Sequence, residues 1–279
     1  MVGHGEWDRT LGDPMTSAKP SESLDAYRPM QVTRLVEEAG VAKAHLDFLP
    51  LLTLGVLAGA FIAFGGGFYI SALTGIDTIT GLHRVAGGMA FSLGLILVIV
   101  GGAELFTGNA LMVMAFVDRR IPGRLLLRNW GVVFIGNTIG ALAIAALFWA
   151  GDLIQGSFAD RARSIAESKF SLSFQSAFFR GILCNALVCL AVWLSFSART
   201  AAGKVLVIVP PIAAFVALGL EHSIANLFLL PLGMIAGAEG GLGSVMLNIL
   251  PVTLGNIVGG AGGVAAAYWV AFDRDPEVD

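Results

Sequence analysis

The sequence predicts an all-α membrane protein of six transmembrane helices, arranged as two inverted three-helix repeats whose second and fifth helices are broken. Three observations predict this class: the composition, the length of the uncharged segments and a pair of repeated motifs. Apolar residues make up 56% of the 279 positions and charged residues 13%, about half the charged fraction of a soluble domain. Uncharged stretches run over 49–70, 181–196, 205–220 and 240–272. Each approaches or exceeds the roughly 20 helical residues that cross a bilayer core of about 30 Å.

Hydropathy places the six predicted spans, of which the second and fifth are long and interrupted by polar residues. The spans are 49–73, 85–117, 129–150, 177–198, 204–235 and 248–272. The predicted organisation is an N-terminal segment 1–48, a first repeat 49–150, a second repeat 151–272 and a tail 273–279. The net charge of −3 gives no indication of nucleic-acid binding.

The N-terminal segment does not have the order of a secretory signal peptide, because acidic residues precede Leu49 and no apolar core lies before it. Residues 1–20 are polar and are predicted to be disordered. From Glu22 to Asp47 the pattern is that of a mildly amphipathic helix. This helix is either a solvated lead-in to the first span or a cap on the cytoplasmic side. Cys184 and Cys189, five apart in one span, are expected to be packing thiols, and no metal or cofactor is predicted.

The distribution of lysine and arginine predicts the orientation. With the N-terminus inside, twelve of these residues lie in segments on the inner side and five in segments on the outer side. Positive residues concentrate on the cytoplasmic side of membrane proteins. Both termini are therefore expected in the cytoplasm, with the chain in the cell membrane.

Two motifs occur once in each half of the chain, in the same order. The second span contains Glu104-x4-Asn109 and the fifth contains Glu221-x4-Asn226. The third and sixth spans each contain Gly-Asn-x-x-Gly, at 136–140 and 255–259. Because each half holds three spans, an odd number, the second half must be inverted relative to the first. This is the plan of many channels and transporters.

The two breaks are the expected permeation site, since broken helices are tolerated in a membrane only where they face protein or water. Unpaired amides at the restart of each helix favour an anion. A carboxylate lining an anion path would repel its cargo, so Glu104 and Glu221 are interpreted as capping scaffold, with Asn109 and Asn226. His222 lies beside the second break. It is either a packing residue or a functional group that donates a hydrogen bond or a proton near neutral pH.

Several segments together resemble the formate/nitrite transporter family, over about 30–269. They are Phe91-Ser-Leu-Gly-Leu95, Gly102-Ala-Glu-Leu-Phe-Thr107, Asn129-Trp, Gly136-Asn137, Gly181 to Trp193, Glu221-His-Ser-Ile-Ala-Asn226 and Pro251-Val-Thr-Leu-Gly-Asn256. The resemblance implies an aquaporin-like protomer with its own pore, assembled as a homopentamer whose central axis is not the substrate path. It also implies an N-terminal helix that can gate the cytoplasmic side.

The resemblance also implies roles for individual residues. His222 matches the central pore histidine of the family. Thr107 and Asn185 match residues beside it, and Lys169 matches a basic residue of the outer vestibule, although it could equally be one of several loop cations. The apolar positions that narrow the pore correspond to Phe91, Leu95, Leu105, Phe106 and Phe215. The implied substrate is a small monovalent anion. Formate is expected, with nitrite as the alternative and hydrosulfide or short carboxylates behind them.

Two other classes are disfavoured by the residues themselves. A water or glycerol channel would carry Asn-Pro-Ala in each half, and the chain has no such tripeptide. An intramembrane hydrolase would have to pair Ser223 with His222. Adjacent helical residues point about 100° apart and do not easily meet as nucleophile and base. The sequence therefore predicts a transport protein and not an enzyme.

Overall fold

The computed structural model describes residues 26–272, and all regular secondary structure in that range is helical. The predicted disorder of residues 1–20 and the predicted tail 273–279 lie outside the described residues. The first described helix, Pro29–Ala44, falls within the segment 22–47 for which the sequence predicts an amphipathic helix.

The helices are numbered along the chain. Their bounds are α1 Pro29–Ala44, α2 Phe48–Leu73, α3 Gly81–Gly101, α4 Val113–Val117, α5 Gly123–Ala150, α6 Gly156–Phe170, α7 Phe174–Ser197, α8 Ala201–Ala217, α9 Ser223–Ile235, α10 Leu242–Ile257 and α11 Ala267–Phe272. A 3₁₀ turn at Gly108–Met112 leads into α4, and a π-helical segment, Val258–Ala266, joins α10 to α11. Five of the helical stretches are long and apolar enough to cross a bilayer: α2, α3, α5, α7 and the continuous α10–α11 stretch. The predicted class, an all-α membrane protein, is confirmed.

Helical structure is interrupted at two places, inside the second and fifth predicted spans. Helix α3 ends at Gly101 and α8 at Ala217, and regular helix resumes at Gly108 and Ser223. A glycine with positive φ, Gly102 or Gly219, follows the end of each first segment. Glycine is favoured at such a helix end because it enters the left-handed region without steric cost.

Helices α2 and α5 pack with their backbones almost in contact, which explains the glycines of the repeated motif. Gly55 of α2 lies against Gly136 of α5, and Gly140 lies against the backbone of Val56 and Ala60. In the second half, Gly255 and the α10 helix pack on α7 in the same way. Small residues allow membrane helices to approach closely where van der Waals packing replaces the hydrophobic effect. The closely packed helix pairs are thus α2–α5 in the first half and α7–α10 in the second half.

Two amphipathic helices lie at opposite ends of the bundle. Helix α1 meets the end of α7, where the Tyr27 amide donates to the Ser197 carbonyl. Helix α6 meets the end of α2, where Arg161 donates to the carbonyl oxygens of Leu73 and Ile76. No helix was predicted at 156–170, because the segment is polar. It packs instead through small residues, with Ala166 against Gly233. We call the two ends the α1 side and the α6 side.

Candidate functional site

Two cavities enter the bundle from opposite ends and share no lining residue. The α6-side cavity has a volume of about 440 Å³ and reaches Phe91, Phe215 and His222. The α1-side cavity has a volume of about 270 Å³ and reaches Leu95 and Leu105. Phe91 and Leu95 are one helical turn apart on α3. The barrier between the cavities is therefore short and lies at the level of the two breaks.

A buried pair of polar residues lies at this barrier. The first break contributes one of them and the second break the other. Thr107 Oγ1 and His222 Nε2 are 2.9 Å apart, and the two side chains are 1% and 3% exposed. The sequence interval between them is 115 residues. The fold therefore brings residues of the two breaks into direct contact.

His222 is also the N-cap of α9. The amide of Ala225 donates to His222 Nδ1 at 3.0 Å. A ring nitrogen that accepts a hydrogen bond carries no proton, so in this arrangement the ring proton is on Nε2. The hydrogen-bond donor of the ring therefore faces Thr107 and the barrier.

Aromatic rings close the α6 side of the polar pair. The Phe215 ring is nearly parallel to the His222 ring, with 6.0 Å between centroids and an angle of 23°. Phe91 meets Phe215 edge to face at 5.5 Å. Phe106 is placed differently: its ring packs on Trp130 and Phe134 of α5 and lines neither cavity. Four of the five predicted apolar residues thus lie beside a cavity, and Phe106 braces the first break from behind.

Asparagine side chains hold the amides where each helix restarts. The Phe106 amide donates to Asn137 Oδ1 and the Ser223 amide to Asn256 Oδ1, both at 2.9 Å. Each asparagine also donates to backbone carbonyls: Gly55 and Glu104 in the first half, Gly181 and Glu221 in the second. These two amides, and that of Ala225, are therefore paired within the protein. The sequence interpretation expected these amides to be free to bind an anion. They are not free.

The glutamate of the first break belongs to a polar cluster with helix α1. Lys43 donates to Glu104 Oε1 at 2.8 Å and to Asn109 Oδ1 at 2.9 Å. Asn109 Nδ2 donates to Glu104 Oε2 at 2.7 Å and to Asn129 Oδ1 at 2.9 Å. The carboxylate thus accepts from side chains, where the sequence interpretation expected backbone amides. It neutralises a lysine and ties α1 to the break.

The second break carries the matching cluster, with α6 in place of α1. Lys169 donates to Glu221 Oε1 at 2.9 Å. Asn226 donates to Glu221 Oε2 at 2.6 Å and to Asn248 Oδ1 at 2.8 Å. Lys169 is thus the counterpart of Lys43, and α6 the counterpart of α1. The matched contacts extend beyond the predicted repeat boundary at residue 49.

Asn185 lies behind Thr107, where it supports the backbone. Its Nδ2 donates to the carbonyl oxygens of Thr107 at 3.1 Å and Asn256 at 2.7 Å. Both N–H groups are therefore committed. Cys189 Sγ also donates to the Thr107 carbonyl at 3.4 Å. Asn185 fixes the position of Thr107 and has no N–H left for a ligand.

Sequence reasoning missed several residues of these clusters as site residues, although signals for them exist. Asn129 and Asn248 are 119 residues apart, the same interval as Asn137 and Asn256. The pairs Lys43–Lys169 and Gly55–Gly181 are both 126 apart. These shared intervals are the signal in the sequence that marks these residues as counterparts. Within residues 26–272, no group of His, Cys, Asp and Glu is suited to hold a metal.

A helical membrane bundle whose broken helices meet at a buried polar pair between two opposed cavities is a protein of the channel or transporter class. The family model described as "Formate/nitrite transporter" matches residues 30–270. The chain therefore belongs to the formate/nitrite transporter family. It is a multi-pass membrane channel or transporter for small anions, and not an enzyme.

Individual relatives agree with this assignment. The formate channel FocA of Escherichia coli (strain K12) is 41% identical over 221 residues, which are 78% of each chain. The uncharacterized transporter YrhG of Bacillus subtilis (strain 168) is 42% identical over 253 residues, 88% of this chain and 94% of that one. Among solved structures, a pentameric formate channel with formate bound superposes with a TM-score of 0.75 at 36% identity, covering 81% of this chain and 98% of the other.

Proposed function

We propose that the chain conducts formate, a small monovalent anion, between the two cavities past His222 and Thr107. The observation that carries the proposal is the buried contact of 2.9 Å between Thr107 Oγ1 and His222 Nε2 at the barrier. Relatives named as formate channels, at 41% identity in FocA of Escherichia coli, support formate as the first choice. Nitrite is the alternative, because the family is described by both anions.

Cationic side chains at each end attract the anion. Lys169 lines the α6-side cavity and Lys43 lines the α1-side cavity. Each lysine is paired with a buried glutamate, so its charge is partly neutralised and the anion is attracted without being trapped. At the barrier the anion loses water, which would cost a bare charge several kcal/mol. Hydrogen bonds from His222 Nε2–H and the Thr107 hydroxyl replace part of that hydration. Asn185 holds Thr107 in place for this contact.

Proton transfer to the anion at His222 is a second mechanism, and it makes a specific structural demand. Only an imidazolium would readily release a proton, and its Nδ1–H would face the amide of Ala225, which now donates to Nδ1 at 3.0 Å. Losing that hydrogen bond costs about 1–3 kcal/mol. The neutral ring, acting as a hydrogen-bond donor, does not incur this cost and is the mechanism we favour.

Uptake of labelled formate into proteoliposomes tests the function and separates the two mechanisms. His222→Gln keeps an N–H donor but cannot carry a proton. If the ring only donates a hydrogen bond, His222→Gln retains formate uptake and His222→Leu loses formate uptake. If the ring transfers the proton, both variants lose it. Uptake by His222→Leu at the wild-type rate would contradict a role for His222 altogether.

Substrate choice is measured on the same vesicles, with formate, nitrite and hydrosulfide supplied side by side. We expect formate to move fastest. Faster nitrite flux would reassign the substrate within the family.

We also propose that the protein is a homopentamer in the cell membrane with both termini in the cytoplasm. A pentameric relative at 36% identity supports the assembly, and the excess of Lys and Arg on the α1 side supports the orientation. The mass of the detergent-solubilised protein, measured by light scattering with a refractive-index correction, tests the assembly. A monomeric or trimeric mass would contradict it.

A further inference from the structure

The two cavities differ in charge. Four cationic side chains and one carboxylate line the α6-side cavity: Arg84, Arg161, Lys169, Arg180 and Glu221. The α1-side cavity is lined by Lys43, Lys204 and Glu104. Each cavity contains one lysine–glutamate pair. Among residues 26–272, the excess positive charge is therefore three on the α6 side and one on the α1 side.

The three arginines of the α6-side cavity are not neutralised by their contacts. Arg161 donates to the carbonyl oxygens of Leu73 and Ile76, and Arg180 donates to that of Gly219 at 3.3 Å. A carbonyl oxygen leaves the full charge on the guanidinium. The Arg84 side chain makes no hydrogen bond within residues 26–272. The α6-side cavity therefore presents several guanidinium groups whose charge is uncompensated and directed at its interior or mouth.

A guanidinium group binds a carboxylate through two parallel hydrogen bonds. A cavity with several such groups can bind more than one carboxylate at once, and its attraction for an anion grows in proportion to the anion's charge. To cross the apolar barrier a dicarboxylate must also lose the water of two charged groups, so it meets a higher barrier than a monocarboxylate. Phe91 and Phe215, whose ring centroids are 5.5 Å apart, form an apolar constriction. A monoanion therefore crosses this constriction much more readily than a dianion.

We propose that the α6-side cavity is a binding site for a small dicarboxylate, which occupies the cavity without crossing the barrier. Its volume of about 440 Å³ accommodates an anion larger than formate. Arg84 and Arg180 bind the carboxylates, and the aromatic pair stops the ligand. The bound dicarboxylate closes the α6 side to monovalent anions. The α1-side cavity, with an excess charge of one, does not bind it comparably. The blocking effect rests on the proposed anion conduction, whereas the binding does not.

Binding is measured first, by titrating succinate into the purified protein in detergent at low ionic strength. The matched ligand is succinamate, which has nearly the same size but one charge. We expect succinate to bind about tenfold more tightly, and the difference to shrink near 0.15 M salt, where the Debye length is about 8 Å. In the variant Arg84→Gln/Arg180→Gln we expect succinate affinity to fall about tenfold. The matched control Lys204→Gln, in the α1-side cavity, should leave succinate affinity unchanged.

Formate flux gives the second readout. Succinate on the α6 side should inhibit flux competitively, and succinate on the α1 side should not. Impermeant labelling of a cysteine introduced at Ser157 shows whether the α6 side of the protein faces the outside or the inside of the vesicle. Equal affinity for succinate and succinamate, or unchanged succinate affinity in the double-arginine variant, would overturn the proposed site. A protein that binds succinate but conducts no formate would instead contradict the proposed function.

Discussion

At the level of single residues, the proposed site consists of one hydroxyl group and one ring nitrogen. Thr107 Oγ1 is the partner that His222 Nε2 has inside the protein. The other ring nitrogen is committed to the Ala225 amide. Thr107 is in turn held by its carbonyl oxygen, which accepts from Asn185 and Cys189. A substrate that replaces the hydroxyl at Nε2 therefore meets a ring whose position is already determined.

Thr107→Val removes the hydroxyl and keeps the shape of the side chain. A buried N–H left without a partner costs about 1–3 kcal/mol, and the substrate loses one of its hydrogen bonds. We expect formate flux to fall roughly tenfold. Thr107→Ser, which keeps the hydroxyl, should retain most of the flux in the same liposome measurement. Equal flux in the valine variant and the wild type would exclude a role for the hydroxyl.

His222 and Thr107 could be predicted because each sits beside a break that the hydropathy pattern reveals, and because the family resemblance marks both. Lys43 could not be predicted in the same way. It lies 61 residues before Glu104 in a polar helix, and nothing in its local sequence distinguishes it from a solvated lysine. The pore role of Phe106 stays a prediction: its ring packs on Trp130 and Phe134, and an apolar residue at a break can face a neighbouring helix as readily as the path.

At the level of helices, close backbone contact determines where the breaks lie. Asn137 of α5 reaches both the Gly55 carbonyl of α2 and the Phe106 amide of the first break. It can do so only because α2 and α5 approach closely at their glycines. A shift of either helix would therefore move the break and, with it, Thr107.

Gly140→Ala tests this dependence. A Cβ atom at position 140 would overlap the backbone of Val56 and Ala60, and backbone atoms cannot move aside cheaply. Overpacking of this kind costs about 1–3 kcal/mol or more. We expect a lower thermal midpoint and reduced formate flux. Gly131→Ala on the same helix is the control, because a Cβ atom there meets nothing within 4 Å. Equal stability of the two variants would argue against the close packing.

The lysine–glutamate clusters make a second prediction at this level. Lys43→Met leaves the Glu104 carboxylate, 7% exposed, without its cation. We expect the thermal midpoint to fall, and to recover in part when Glu104→Gln is added. The coupling energy between the two substitutions should be roughly 1–2 kcal/mol, because Lys43 remains partly exposed. The pair Lys169→Met and Glu221→Gln is the matched cycle on the α6 side. Additive effects in both cycles would show that the ion pairs do not stabilise the fold.

The long apolar helices could be predicted from hydropathy, because a bilayer demands their length. Helix α6 was missed, since Gly156–Phe170 is polar and has only two buried residues, Ala162 and Ala166. The starts of the spans were also placed too late. Helix α10 begins at Leu242, six residues before the predicted start of the sixth span, because hydropathy averages blur helix ends.

At the level of the whole molecule, the chain alternates between two ends. Residues 118–122 and the end of α7 lie on the α1 side. The loop that follows α2 lies on the opposite side, where it contacts α6. Both native cysteines, Cys184 and Cys189, are buried. The protein is therefore well suited to labelling of introduced cysteines.

An impermeant maleimide tests the proposed orientation on intact cells. We expect labelling of Ser157→Cys and no labelling of Asp118→Cys until the membrane is opened. Both native side chains are exposed in the protomer. The unsubstituted protein is the control and should label weakly, since its thiols are buried. The reverse pattern would place the α1 side outside the cell.

The matched clusters also show where the two halves have diverged. Glu104 and Asn109 each lie 117 residues before their counterparts Glu221 and Asn226. At the same interval, His222 corresponds to Leu105 and Thr107 corresponds to Ile224. The scaffold is thus duplicated, whereas its central chemistry is not. Two copies of the first half would bring two threonines to the centre and no imidazole, and two copies of the second would bring two imidazoles and no threonine. The hydrogen-bonded pair at the barrier therefore depends on the difference between the two halves of the chain.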